Sequence, residues 1–142
     1  MDGTVHALFV VPKKKAPAIG VDEVRVSAKG LEGDFHVGTG SRRQVLMLSR
    51  HVLEEFVLTP GTLSENLVID GLDVMKLAAG QQLHVGDAVL EVTVECEPCI
   101  QMDRIRLGLR RELEGKRGMF ATVIVPGTIH VGDRVRVDGF IS

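Results

Sequence analysis

Tryptophan and tyrosine are absent, and five phenylalanines make up the whole aromatic content, 4% of the chain. A core without large rings has to be filled by Val, Leu and Ile, residues that favour strands. Cysteine is almost as scarce, at two in 142 residues. That excludes the disulfide framework on which small secreted domains depend, so both are expected as thiols. No apolar run approaches the ~20 residues of a membrane-crossing helix. The amino-terminal residues also lack a basic region followed by a long apolar stretch. No membrane partner is expected, and a cytoplasmic location follows. Nor does one sign of charge dominate: 17 Lys and Arg face 19 Asp and Glu, a formal net charge of −2. Without a global positive field no nucleic-acid partner is expected, and any anion site has to be local.

What is present describes an ordinary globular protein, 44% hydrophobic and 25% charged, with 16 glycines to make tight turns. Its length suits one domain over residues 1–142. Strands are expected at 5–11 and 21–26, with the Pro12 to Pro17 loop between them. Gln44 to Leu48 reads as a further strand. Ser49 then caps a helix that places Val52, Leu53, Phe56 and Val57 on one face until Pro60-Gly61 ends it. Asn66 to Ile69 is a short strand closed by Asp70-Gly71. The stretch 72–79 fits a helical turn or a loop equally well.

One pattern occurs twice. Gly80-Gln-Gln-Leu83-His84-Val85-Gly86-Asp87 is echoed, one residue shorter before its histidine, by Gly127-Thr-Ile129-His130-Val131-Gly132-Asp133. Each copy reads as strand, Gly-Asp turn, strand, as in a barrel built from similar hairpins, and its histidine reads as a strand residue. Glu91 to Glu95 continues the strand after the first copy. Gln101 to Glu114 is expected to be one helix with Ile105, Leu109 and Leu113 on a common face, and Met119 to Val125 another strand.

Two constellations could carry chemistry. Cys96-Glu-Pro-Cys99 is a C-x-x-C, which suits a redox pair, half of a zinc site, or one working thiol beside a plain one. No second C-x-x-C or close His pair completes a zinc site. Cys96 lies between Glu95 and Glu97, whose charges oppose ionisation. Cys99 precedes the expected helix, whose unpaired N–H groups favour an anion, so Cys99 is the better candidate. A simple buried cysteine remains the alternative. The second constellation is Gly33-Asp34-Phe35-His36 followed by Arg42-Arg43-Gln44. Glycines allow close approach of a ligand, and paired arginines offer forked donors to phosphate or carboxylate. A tight turn with solvated arginines is the alternative here. Arg104, Arg106, Arg110, Arg111, Lys116 and Arg117 add a local positive excess that suits either a solvated helix face or attraction of an anion.

The ordered set Gly30-Leu-Glu-Gly33-Asp34-x-His36, Arg43-Gln44-Val45, Ser64-Glu65-Asn66-Leu67, Gly71, Gly80, Gly86, Pro98-Cys99, Gly118 and Gly132-Asp133 closely resembles the MOSC domain. The likeness runs through nearly the whole chain. It departs from the family pattern at Phe35, where a basic residue is frequent, at Ser64, where Gly often precedes Glu-Asn, and at Ile100, where a polar residue often follows the cysteine. The resemblance implies a mainly β fold, a closed or nearly closed β-barrel with two or three short helices. It also implies that the cysteine at position 99 either carries sulfur as a persulfide or ligates molybdenum, while polar and basic residues hold a pterin and its phosphate.

The expected ligand is therefore the molybdenum cofactor, molybdopterin. Cys99 would be its metal ligand and the catalytic residue, and His36, Arg42, Arg43 and Asn66 would contact the anionic pterin. Relatives in the superfamily include reductases of N-hydroxylated compounds. No ferredoxin-like cysteine set is present, so a reductase would need a separate electron-donor protein. The alternatives are a sulfur carrier that forms a Cys99 persulfide with a sulfur-donor protein, and a non-catalytic β-barrel interaction module.

Overall fold

The computed structural model describes residues 2–37 and 42–139, so the end of the glycine-rich run, at 38–41, lies outside the described residues. The chain is mainly β. Strands β1 (Asp2–Val10), β5 (Val45–Ser49), β6 (Leu67–Asp70), β7 (Gln82–Val85), β8 (Ala88–Glu95), β9 (Met119–Val125) and β11 (Arg134–Val137) pair in the order β11-β7-β8-β9-β5-β6-β1. Pairing of β1 with β11 closes this seven-stranded ring into a barrel. Strand β2 (Ile19–Val21) adds to β1, while β3 (Glu23–Ser27), β4 (Gly30–Leu31) and β10 (Gly127–His130) form a separate three-stranded sheet. Three short helices complete the fold: α1 (Arg50–Glu55), α2 (Gln101–Ile105) and α3 (Leu109–Glu112).

Within the ring only β5 and β6 run parallel, joined by the crossover that contains α1. Val45, Met47, Leu67 and Ile69 point into the main core, whereas Leu48 and Val68 point outward into a second cluster with Val52 and Leu53 of α1, Met102 of α2 and Leu109 of α3. A strand covered on both faces needs no polar alternation, which is why β5 reads as the unbroken apolar run Val-Leu-Met-Leu. The second cluster ties all three helices to the outer wall of the barrel.

Several expected elements change form. The strand expected at 21–26 divides at Asp22 into β2 and β3. The stretch 72–79 contains a single 3₁₀ turn, Val74–Lys76, capped by the Asp73 carboxylate accepting from the Met75 N–H at 3.0 Å. Ser49 precedes α1 but does not cap it: its hydroxyl donates to the Leu72 carbonyl and accepts from the Val74 N–H, both at 2.8 Å. Helix α1 ends before Val57, whose φ of 54° is left-handed and whose side chain is 86% exposed, so Val57 does not join the apolar face. The single helix expected over 101–114 is broken by Gly108 at φ 89°. Leu109 and Leu113 remain buried, but Ile105, before the break, is turned to solvent.

The repeated Gly-Asp pattern also divides. Its first copy is the antiparallel β7–β8 hairpin. The strands of its second copy, β10 and β11, pair with β3 and with β7 and β1, so that copy is a junction between two sheets and not a hairpin. The two turns pack together, and a Cβ on Gly86 would lie 2.4 Å from an Asp133 carboxylate oxygen. His84 faces Asp138 at 2.9 Å and His130 faces Glu23 at 3.1 Å, which suits strand residues at the surface.

Candidate functional site

Strand β8 separates from β9 just after Glu95, and the last link between them is the Cys96 N–H donating to the Gly118 carbonyl at 2.9 Å. The chain then runs without regular structure to α2. The gap opened there is a cleft of about 450 Å³ lined by Arg43, Val94, Glu95, Cys96, Glu97 and Phe120. Its back wall follows from strand alternation: Met119 and Ala121 point into the barrel, so Phe120 between them points out. The Arg43 guanidinium lies 5.6 Å from the Phe120 ring centroid, a cation–π contact. The His36 ring meets Phe120 edge-on at 6.0 Å and stacks on Phe35 at 3.9 Å.

Behind His36 lies a buried carboxylate. Asp34 Oδ2 accepts from His36 Nδ1 at 2.7 Å and from the His36 N–H at 3.1 Å. Its Oδ1 accepts from the Val11 N–H at 2.7 Å and from Asn66 Nδ2 at 3.0 Å. Burial pushes the Asp34 carboxyl up, but the hydrogen bonds from His36 and Val11, with the His36 charge, outweigh it and hold the group below its ordinary value. Asn66 is fully buried, and its remaining contacts are the Leu46 N–H to Oδ1 at 2.9 Å and Nδ2 to the Phe9 carbonyl at 3.2 Å. Asn66 therefore offers no surface to a ligand. It stitches β1, β5 and the 34–36 turn together and so sets where Asp34 and His36 stand.

The two thiols differ in setting. Both are free; Cys99 is exposed and Cys96 partly buried. Burial pushes the Cys96 thiol up, against the opposing pull of the Arg117 and Arg43 charges. The argument that placed Cys99 at a helix start weakens, because α2 has only five residues and Ile100 is its N-cap. Exposure takes its place as the reason to favour Cys99.

Arg42 and Arg43 are both exposed beside the cleft, and among the described residues neither has an ion-pair partner. The Arg42 carbonyl accepts from the Thr93 hydroxyl, which anchors this turn to β8. The structure thus gathers Arg43, Phe120 and His36, with Cys96 also lining the cleft and Cys99 outside its lining, and leaves Asn66 beneath as support. Phe120 and Arg117 were not legible as site residues. Phe120 looked like one more apolar strand residue and Arg117 like one more cation of a wet helix face.

Arg117 is buried. Its Nη2 donates to the Leu63 carbonyl at 2.6 Å, while Nη1 is buried with no hydrogen-bond partner among the described residues. Nearby, Glu65 is fully buried, accepting from the Gly61 N–H at 2.8 Å and the Leu63 N–H at 3.1 Å. Burial pushes the Glu65 carboxyl up, against those bonds and the Arg117 charge. The residue before it, Ser64, has φ 59°.

The family model of the MOSC domain matches residues 33–136. The chain belongs to the MOSC domain family. Among solved structures it superposes on the YuaD protein from Bacillus subtilis with a TM-score of 0.87 and 22% identity, covering 99% of this chain and 98% of that one. It is also similar to YiiM from Escherichia coli (TM-score 0.75, 24% identity, 100% of this chain and 72% of that one). YiiM from Geobacillus stearothermophilus gives a TM-score of 0.78 at 18% identity, over 96% of this chain and 75% of that one. No curated protein matches. At these identities the likeness to solved structures establishes the fold, and the MOSC barrel is that fold. The left-handed backbone at Ser64 is a conformation that glycine adopts without strain.

Proposed function

We propose that this MOSC-domain protein binds the molybdenum cofactor at the cleft beside Cys99, with the Cys99 thiolate as the soft ligand. The observation that carries the reading is an exposed thiol two residues along the chain from Glu97, which lines a cleft whose wall is an arginine laid over an aromatic ring. The donor set fits such a group. Among the described residues no three His, Cys, Asp or Glu side chains gather as metal donors. A lone cysteine would thus serve a metal that brings its own sulfur ligands, and thiolate suits that company. The cleft volume also lies in the range of ~300–1,000 Å³ usual for small-ligand sites.

Arg42 and Arg43 would take the pterin phosphate through charge-assisted forked bonds. His36, held by Asp34 and leaning on Phe120, would bound the pterin from behind, with Asn66 fixing that wall. When bound, the cofactor supplies a two-electron redox centre, and an electron-donor protein would complete a reductase of N-hydroxylated compounds. The exposure of Cys99 also favours a second reading, a sulfur carrier that exchanges a persulfide with a sulfur-donor protein.

Molybdenum and pterin content, measured on protein purified from a cofactor-competent host, tests the first reading. Cys99→Ser is expected to abolish molybdenum retention and Cys96→Ser to preserve it, with circular dichroism unchanged in both. Wild type devoid of molybdenum and pterin, or a Cys99 variant that retains as much as wild type, overturns direct ligation. A sulfur gained on Cys99 without metal supports the carrier.

A further inference from the structure

A short segment that turns several large aliphatic residues outward gives up burial, and such surfaces mark places where another molecule covers them. The stretch from Cys99 to Arg111 is a segment of this kind. Met102 and Leu109 anchor it in the cluster on the outer wall of the barrel, yet Leu107 is 88% exposed, Ile100 58% and Ile105 39%. Gly108 breaks the helix here, so Ile105 loses the buried face it would share with Leu109. The broken turn is nonetheless fixed. Asp103 Oδ1 accepts from the Arg110 N–H at 3.1 Å, and Arg106 donates to the Phe56 carbonyl at 2.8 Å while pairing with Glu112 at 3.5 Å.

Charge surrounds these residues. Leu107 lines a cleft of about 470 Å³ with Asp103, Gly108, Arg110, Arg111 and Glu114. Arg106 and Glu112 are spent on each other, and Asp103 is turned to the Arg110 N–H. That leaves Arg104, Arg110 and Arg111, all exposed and without an ion-pair partner among the described residues, against Glu114. Arg110 also borders an adjoining cleft that holds Glu95 and Glu97, so the positive character of the face rests on Arg104 and Arg111. An apolar centre edged by arginine is the make-up of a protein-binding surface. It begins at the exposed thiol of Cys99.

We propose that the surface from Ile100 to Arg111 docks an acidic electron-transfer protein beside Cys99. The partner brings an apolar patch for Ile105 and Leu107 and carboxylates for Arg104 and Arg111. The chain carries a formal net charge of −2, so an acidic partner gains nothing from the overall field and is drawn by the local charge, which orients the encounter. Such contacts are small and weakened by salt, which suits a protein that must dock and leave. That the docked protein delivers electrons rests on the cofactor reading above; the docking rests on the face alone.

The probe is a purified plant-type ferredoxin, acidic around its iron–sulfur cluster, titrated into the full-length protein by calorimetry. Binding is expected at about 0.02 M salt and is expected to weaken steeply by about 0.3 M, as screening shortens the reach of the charges. The same ferredoxin with its carboxylates amidated should not bind. Arg104→Glu and Arg111→Glu are each expected to raise Kd about tenfold and to lower its salt dependence, and Leu107→Ser to raise it about as much at every salt concentration. Arg25→Glu, at an exposed arginine of β3, controls for net charge and should change Kd less than about twofold. Circular dichroism checks the fold of each variant. No binding by wild type, or an equal loss in Arg25→Glu, overturns the proposal. Self-association of the wild type that Leu107→Ser abolishes, read by sedimentation, also overturns it and assigns the face to a second copy. Molybdenum content of the same variants judges the cofactor reading separately, since none of the substituted residues lines the cleft that holds Cys96.

Discussion

Ser64→Gly is expected to stabilise the protein. Ser64 sits at φ 59° in the turn that presents Glu65 and Asn66, where its N–H donates to the Gly61 carbonyl at 3.1 Å. An L-residue held in the left-handed region costs about 1–2 kcal/mol, from crowding of Cβ against the following carbonyl, and glycine removes that cost. Glycine also adds freedom to the unfolded chain, which returns about 0.4–1 kcal/mol in the other direction. No side-chain hydrogen bond of Ser64 is lost among the described residues. The balance is a gain of about 0.5–1 kcal/mol, or a melting temperature raised by about 2–4 °C for a domain of this size. Differential scanning calorimetry on wild type, Ser64→Gly and Ser64→Ala measures it. Alanine keeps Cβ and should give no rise. A glycine variant that melts at or below wild type would show that the serine side chain contributes more than its backbone strain costs.

Three further outcomes follow from the same geometry. Cys99 should alkylate faster than Cys96 at neutral pH, because it is exposed while burial pushes the Cys96 thiol up; iodoacetamide labelling read by peptide mass spectrometry decides, and a reversed order removes exposure as the ground for favouring Cys99. Arg42→Ala or Arg43→Ala should lower molybdenum and pterin retention with little change in melting temperature, since both side chains are exposed. Parallel loss of stability and binding would make them structural. The Asp34 carboxyl is held below its ordinary value in the folded state. Its contribution to stability is thus fully present above the unfolded value and is lost as pH falls through the folded one. Asp34→Asn should therefore cost about 2–4 kcal/mol at neutral pH and flatten the acid limb of the stability profile; urea midpoints from neutral pH down to pH 3 test both signs.

The strands were legible because β-branched runs separated by Gly and Asp suit them, whereas closure into a barrel was what the likeness to the MOSC domain implied. Local pattern failed where long-range pairing decides. The second Gly-Asp copy looks like the first, yet β11 pairs with β1 and β7 while β10 is drawn to β3, and nothing within residues 127–137 encodes those partners. Helix periodicity over 101–114 outweighed Gly108, although a left-handed glycine there splits the element. Ser49 resembles a cap in sequence, but its hydroxyl goes to the 72–74 turn. In the site, Cys99, Arg43 and His36 carried visible chemical signals. Asn66 carried a motif signal too, but its side chain is buried and spends its hydrogen bonds within the protein. Arg117 became distinguishable from its neighbouring arginines only through burial.

Closure of the ring joins Asp2 to Arg136, residues at nearly opposite ends of the described chain. Such a contact has the highest loop-closure cost in the fold and is expected to form late. Until it does, the nascent sheet has two open edges, β11 and the Asp2–Thr4 end of β1 that β2 leaves uncovered, each with unpaired N–H and C=O groups able to recruit a strand from another molecule. Removal of β11 would make that transient state permanent. The hazard of a shortened chain is then aggregation through its β1 and β7 edges, even though the cleft, built on β8 and β9, would keep every one of its lining residues.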